Sequence, residues 1–273
     1  MAETKLNILP VPTFASSGVN FVRRETGEFS LTKIDVAKND VQTLVQYITD
    51  STETAVTVAD NGRLELVQVF DSREKCEAKL DITLGDNASG KLTQVYIGGD
   101  TVSEIVTKLV GYGSQFDTKI GYQLDGSDTL DINLVAEHSG RKSISEIAVN
   151  GVQNGSSSKT FKGTIDFKNG AVGAVGGEKE DVILMNDKVR SRTVPVILCA
   201  EEDVVGNHGA TVGRIDEHHI FYMKSRGIPE DKIYEMAARA KLTSVINCIA
   251  DTDAKERIAK ALGWEVGGDD DEQ

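Results

Sequence analysis

From about Thr54 the chain falls into short runs in which apolar and polar residues alternate. Ala55-Val56-Thr57-Val58, Arg63-Leu64-Glu65-Leu66-Val67-Gln68-Val69-Phe70 and Lys79-Leu80-Asp81-Ile82-Thr83-Leu84 carry the two-residue period of strands. Runs of the same kind recur at Thr129 to Val135, Ser143 to Val149, Thr160 to Phe167 and Thr193 to Cys199, separated by turns rich in Gly, Asn and Asp. Many short strands with regular turns mean a sandwich, a barrel or a β-solenoid. No strict hexapeptide or nonapeptide repeat is present, so periodicity alone leaves these three open.

The period changes on either side. Pro10 and Pro12 keep Asn7 to Phe14 extended. Val41, Leu44, Val45 and Ile48 then fall at helical spacing and predict one short amphipathic helix. Near the other end, Asp216 is an N-cap for a helix from Glu217 that Gly227 closes. Pro229 suits the first position of a second helix, with Glu230 and Asp231 complementing its dipole. Leu242, Val245, Ile246 and Ile249 form an apolar stripe along that helix, and Ala254, Ile258, Ala261 and Leu262 form another on a last short helix. The expected organisation is an N-terminal extension with one short helix over 1–50, a β-core over 51–212, helices over 213–265 and an acidic, solvated tail over 266–273.

Charge narrows the function. The chain of 273 residues has a formal net charge of −13 and a pI near 4.8. It shows no Lys/Arg cluster with interleaved aromatics, so neither a nucleic-acid surface nor binding to an anionic membrane is expected. No run approaches the ~18 apolar residues of a membrane span. Met1 to Lys5 lacks a basic start and an apolar stretch, and a cytoplasmic protein is expected. Cys76, Cys199 and Cys248 form no C-x-x-C pair and read as reduced, mostly buried thiols.

The densest polar cluster runs from Gly206 to His219 and holds His208, His218 and His219. Imidazole is a common metal ligand, but adjacent His218 and His219 would point about 100° apart on a helix. A solvated helix face accounts for that pair. His208, between Asn207 and Gly209, has little bulk beside it and leaves room for a metal or a partner chain. His138, next to Glu137 in a strand-like run, is a weaker candidate. Gly170 to Gly177 lacks the lysine of a phosphate loop and reads as a turn between strands. No G-x-S-x-G elbow occurs, and no acidic pair is singled out for acid–base work. The residues describe a binding or scaffold module rather than an enzyme.

The same junction carries a resemblance. His208-Gly209-Ala210-Thr211-Val212-Gly213-Arg214-Ile215-Asp216, followed by Ile220-Phe221-Tyr222-Met223-Lys224-Ser225-Arg226-Gly227-Ile228, resembles the C-terminal signature of the SufB/SufD family, in its SufD form. Phe161-Lys162-Gly163-Thr164-Ile165 is similar to the family's F-x-G-x-I strand, Pro195 to Val204 to the strand entering the histidine motif, and Leu9 to Phe14 to its L-P-x-P-T-W. The resemblance implies a right-handed parallel β-helix with C-terminal helices that dock the ATPase SufC. It implies a non-catalytic scaffold subunit of the SUF iron–sulfur assembly machinery, paired through the β-helix with a SufB-like or identical chain. On that reading Arg226, Glu230, Tyr234 and Arg239 face the ATPase, and a transient iron–sulfur cluster sits at the subunit interface. His208 is the matched candidate ligand, since Gly206 and Val189 stand where the family carries cysteines and Gly209 where SufB has glutamate. Two rival expectations are a β-helix enzyme acting on polysaccharide, exported or cytoplasmic, and a degenerate SufC-binding structural protein with no cluster role.

Overall fold

Two short strands, β1 (Glu3–Leu6) and β2 (Val22–Glu25), pair antiparallel at the start of the chain. The remaining strands bury their apolar faces by stacking coil upon coil. In the computed structural model, which describes residues 3–13, 15–71 and 74–264, each coil gives one strand to each of two seven-stranded parallel sheets. The first sheet takes β3 (Ser30–Val36), β5 (Thr52–Val58), β7 (Lys75–Leu84), β9 (Asp100–Leu109), β11 (Thr129–His138), β13 (Ser158–Phe167) and β15 (Arg190–Cys199), in that spatial order. The second takes β4 (Val41–Ile48), β6 (Arg63–Phe70), β8 (Ser89–Ile97), β10 (Gln115–Leu124), β12 (Ile144–Gln153), β14 (Ala174–Leu184) and β16 (Val204–Gly213). The chain is a parallel β-solenoid, as the resemblance implied.

In-register stacking puts like side chains in columns about 4.8 Å apart down the bore. Leu80, Ile105 and Leu134 form one such column, and Phe70, Tyr96 and Tyr122 another. Phe70 and Tyr96 stack with centroids 4.3 Å apart. Gln68 donates to Gln46 and Gln94 donates to Gln68, each at 2.8 Å, so these inward amides satisfy one another. At one corner of successive coils, Asn39, Asn61, Asn87, Gly113, Lys142 and Gly173 all have positive φ. Each donates its backbone N–H to a carbonyl of the next coil. That corner is a repeat hidden in the sequence because the coils lengthen. The pairing offset grows from 22 residues (Val41 beside Arg63) to 32 (Ser158 beside Arg190).

Residues 41–48, expected as a short helix, are the strand β4. Both faces of this sheet are covered, which explains the misleading spacing. Leu44 packs against the bore cluster, whereas Val45 packs against the C-terminal helices outside. Apolar neighbours on opposite faces imitate a helical stripe. The segment between β1 and β2 crosses the outside of the first sheet. Asn7 donates to the carbonyl of Asp131 at 2.9 Å, and buried Lys162 donates to the carbonyl of Asn7 at 3.0 Å.

Three helices follow β16: α1 (Glu217–Ser225), α2 (Glu230–Ile246) and α3 (Thr252–Ala261). Asp216 accepts from the backbone N–H groups of His218 and His219, as an N-cap should. Pro229 is itself the cap residue of α2, one place earlier than expected. The helices fold back over the second sheet. Leu242 and Ile246 of α2, Ile249 just beyond it, and Ala254 and Ile258 of α3 bury Val67, Val69, Val95, Ile97 and Val152. No helix among the described residues is long and apolar enough to cross a membrane. The acidic stretch 266–273 lies outside the described residues.

Candidate functional site

β16 ends the second sheet and, among the described residues, pairs with β14 alone, so its other edge is open there. Val205 to Val212 are all exposed. His208 lies in register with Glu178 and, by the alternation of strand side chains, on the bore side of the last coil. The column beneath it reads Leu66, Leu92, Thr118, Ile147 and Glu178, uncharged deep in the solenoid and ionisable just under the open end.

Below His208 the bore holds a polar cluster. Lys159 and Glu180 are both fully buried, with Nζ 2.5 Å from Oε1. Lys159 also donates to Thr193 Oγ1 at 3.1 Å and to the carbonyl of Arg192 at 3.2 Å, which uses all three ammonium protons. Thr193 Oγ1 in turn donates to Glu180 Oε2. Glu178, 5% exposed, lies across the bore from Gly163, where a Cβ would stand 2.1 Å from its Oε2. The glycine of the F-x-G-x-I strand therefore makes room for a carboxyl. Burial, and then the charge of Glu180, push the Glu178 carboxyl up to about 7 against the pull of Lys159. Its Oε2 has no hydrogen-bond partner among the described residues. Burial lowers the Lys159 pKa while Glu180 opposes that shift.

The other sequence candidates separate clearly. His218 and His219 are exposed at the start of α1. His138 is a core residue, its ring nitrogens 2.8 Å from the hydroxyls of Ser143 and Ser145. Burial lowers it to about 4, so it stays neutral in the fold. Gly170 to Gly177 turns from β13 into β14, and the N–H of Gly170 donates to Glu201. Only Cys76 is fully buried, with a thiol pushed up to about 11 mainly by burial. Cys199 is exposed and Cys248 half-buried, so the expectation of mostly buried thiols fails. Cys199 is the last residue of β15, and Cys248 lies in the turn that follows α2.

The four partner-facing candidates fall into two pairs. Arg226 stacks on Tyr222, 5.1 Å from the ring centroid, and Glu230 accepts from Lys224 at 2.6 Å, both at the corner of α1 and α2. Tyr234 and Trp264 line one hollow beside the second sheet, and Arg239 stacks on Trp264 at 5.7 Å. Around that corner α1 buries none of its residues and leaves Phe221 73% and Tyr222 55% exposed.

Residues 21–241 match the family model described as "SUF system FeS cluster assembly, SufBD core domain". The chain belongs to the SufB/SufD family. The iron–sulfur cluster assembly protein SufD of Bacillus subtilis is 31% identical over 168 residues, 62% of this chain and 38% of that protein. A SufBD family protein of Mycobacterium bovis is 24% identical over 192 residues, covering 67% of this chain and 48% of its own length. A second from the same organism is 34% identical over 95 residues. This SufB/SufD chain thus spans about half, or less, of the curated relatives it matches.

The matched family model names iron–sulfur cluster assembly, and the donors here fit a cluster only in part. Among the described residues no group of three His, Cys, Asp or Glu side chains is placed to hold a metal. Open-end His208 offers one imidazole, and Fe–S clusters prefer thiolates. Lys159, Glu178 and Glu180 escaped the sequence reading. Glu178 and Glu180 share strand parity with the apolar Ala174 and Val182, a signal that points into the bore only once the register of β14 is known.

Proposed function

We propose that this chain is a scaffold subunit of the SUF machinery, whose open solenoid end receives a second chain. The observation that carries the reading is the outer edge of β16, exposed and without a strand partner among the described residues, with His208 over the bore. Unprotected edges invite strand-to-strand association. The second chain, SufB-like or identical, abuts this end and supplies the thiolates that His208 lacks for a transient cluster. A SufC-like ATPase docks on the corner of α1 and α2, through Phe221, Tyr222, Arg226 and Glu230, with Tyr234 and Arg239 further along α2. The chain performs no catalysis itself and works in the cytoplasm.

Anaerobic co-expression with a SufC-like ATPase and a SufB-like chain tests this. A Phe221→Asp, Arg226→Glu double variant should lose the ATPase in a pull-down while keeping its circular dichroism spectrum. Undiminished capture of the ATPase by that variant overturns the docking assignment.

A further inference from the structure

A hollow of about 350 Å³ lies where α2 and the end of α3 meet the outer face of the second sheet. That volume is in the range of small-ligand sites. Apolar Val152, Met185 and Leu262 line it together with two aromatic side chains, Tyr234 and Trp264, and the amides of Gln123 and Asn154. Three carboxylates, Asp125, Asp231 and Glu235, line the same hollow, and among the described residues no Lys or Arg does. Glu235 accepts from Lys232 at 2.6 Å, whereas no ion pair occupies Asp125 or Asp231 among the described residues. A lining of apolar, aromatic and carboxylate side chains selects a cation with a hydrocarbon stem.

The geometry points to a binding site for a guanidinium carried on a short alkyl stem, and we propose this as the hollow's ligand class. A guanidinium is planar, weakly hydrated and suited both to aromatic faces and to paired carboxylate oxygens, whereas an ammonium is a strongly hydrated point charge. The indole already accepts this chemistry from inside the protein, since the guanidinium of Arg239 stacks on Trp264. The net charge of −13 favours the approach of a cation. The hollow shares Tyr234 with the proposed ATPase surface, and the two readings are told apart because this readout needs only this chain.

Trp264 is the sole tryptophan, so its emission reports the hollow directly. The full chain is titrated at low salt with agmatine, with glycyl-arginyl-glycine and with the citrulline counterpart of that tripeptide. A saturable emission change is expected with a guanidinium probe. The neutral citrulline peptide should bind at least about ten-fold more weakly, as loss of a charge-assisted contact predicts. Asp125→Asn with Asp231→Asn should weaken the guanidinium response similarly and leave the circular dichroism spectrum unchanged. Saturation by agmatine alone assigns a free ligand, and saturation by the tripeptide assigns an arginine side chain presented by another polypeptide. No saturable change, equal binding of the citrulline peptide, or an undiminished response in the double variant each overturns the proposal.

Discussion

Lys159 and Glu180 face each other across the bore, Nζ 2.5 Å from Oε1, and neither side chain reaches solvent. A buried pair of this kind offers little net stability, but removing one partner strands a charge. Lys159→Met should therefore cost about 3–5 kcal/mol in urea unfolding, and Lys159→Met with Glu180→Leu should recover most of that loss. Additive losses in the double variant would show that the two side chains do not act as a pair.

Glu178 and His138 give opposite pH dependences. The Glu178 carboxyl is raised from 4.5 to about 7, so its contribution is full below pH 4.5 and is lost as pH rises toward 7. The His138 imidazole is lowered from 6.5 to about 4, so its contribution is full above pH 6.5 and is lost as pH falls toward 4. Each spans about 3 kcal/mol at 1.36 kcal/mol per pH unit, and in the overlap they offset one another. Glu178→Gln should raise stability near neutral pH by on the order of 1–3 kcal/mol. The variant should also lose stability more steeply than the parent on acidification from 6.5 to 4.5. Urea titrations across that range decide it, and parallel curves for variant and parent would exclude the Glu178 contribution.

How far the sequence was legible follows from which faces each element covers. Strands with one apolar face, such as Lys79 to Leu84, read correctly, and so did the helix ends marked by Asp216 and Gly227. Val41 to Ile48 misled because Leu44 serves the bore and Val45 the helices outside. The coil repeat stayed hidden because its marker is a conformation, shared by Asn61, Gly113 and Lys142, rather than a residue type. His208 was visible through its motif. The charges beneath it were not, because Glu178 and Glu180 alternate with Lys179 and read as one polar run until the register places them in the bore.

Leu242, 1% exposed, packs on the outside of the second sheet rather than on a partner. Leu242→Ala should cost about 2–5 kcal/mol, as large-to-small core changes do. Deleting residues 214–273 would uncover Val67, Val69, Val95 and Ile97, so the truncated solenoid should bind a hydrophobic dye and self-associate. A soluble, dye-negative truncation with parental Tm would mean that the helices contribute nothing to the core.

His208 is exposed on an edge strand, and no side-chain partner holds it among the described residues. Its replacement should thus leave the fold alone. His208→Ala is expected to shift unfolding free energy by less than about 1 kcal/mol, the usual range for surface changes. If the ring serves the subunit junction or the cluster, the same variant should lower the iron and sulfide recovered on the anaerobically purified complex. His208→Cys separates those two roles, because a thiolate can replace imidazole at iron. Recovery of iron and sulfide by the cysteine variant assigns a ligand, and loss in both variants together with loss of the second chain assigns a junction residue. A large fall in stability with normal iron content would remove His208 from the site altogether.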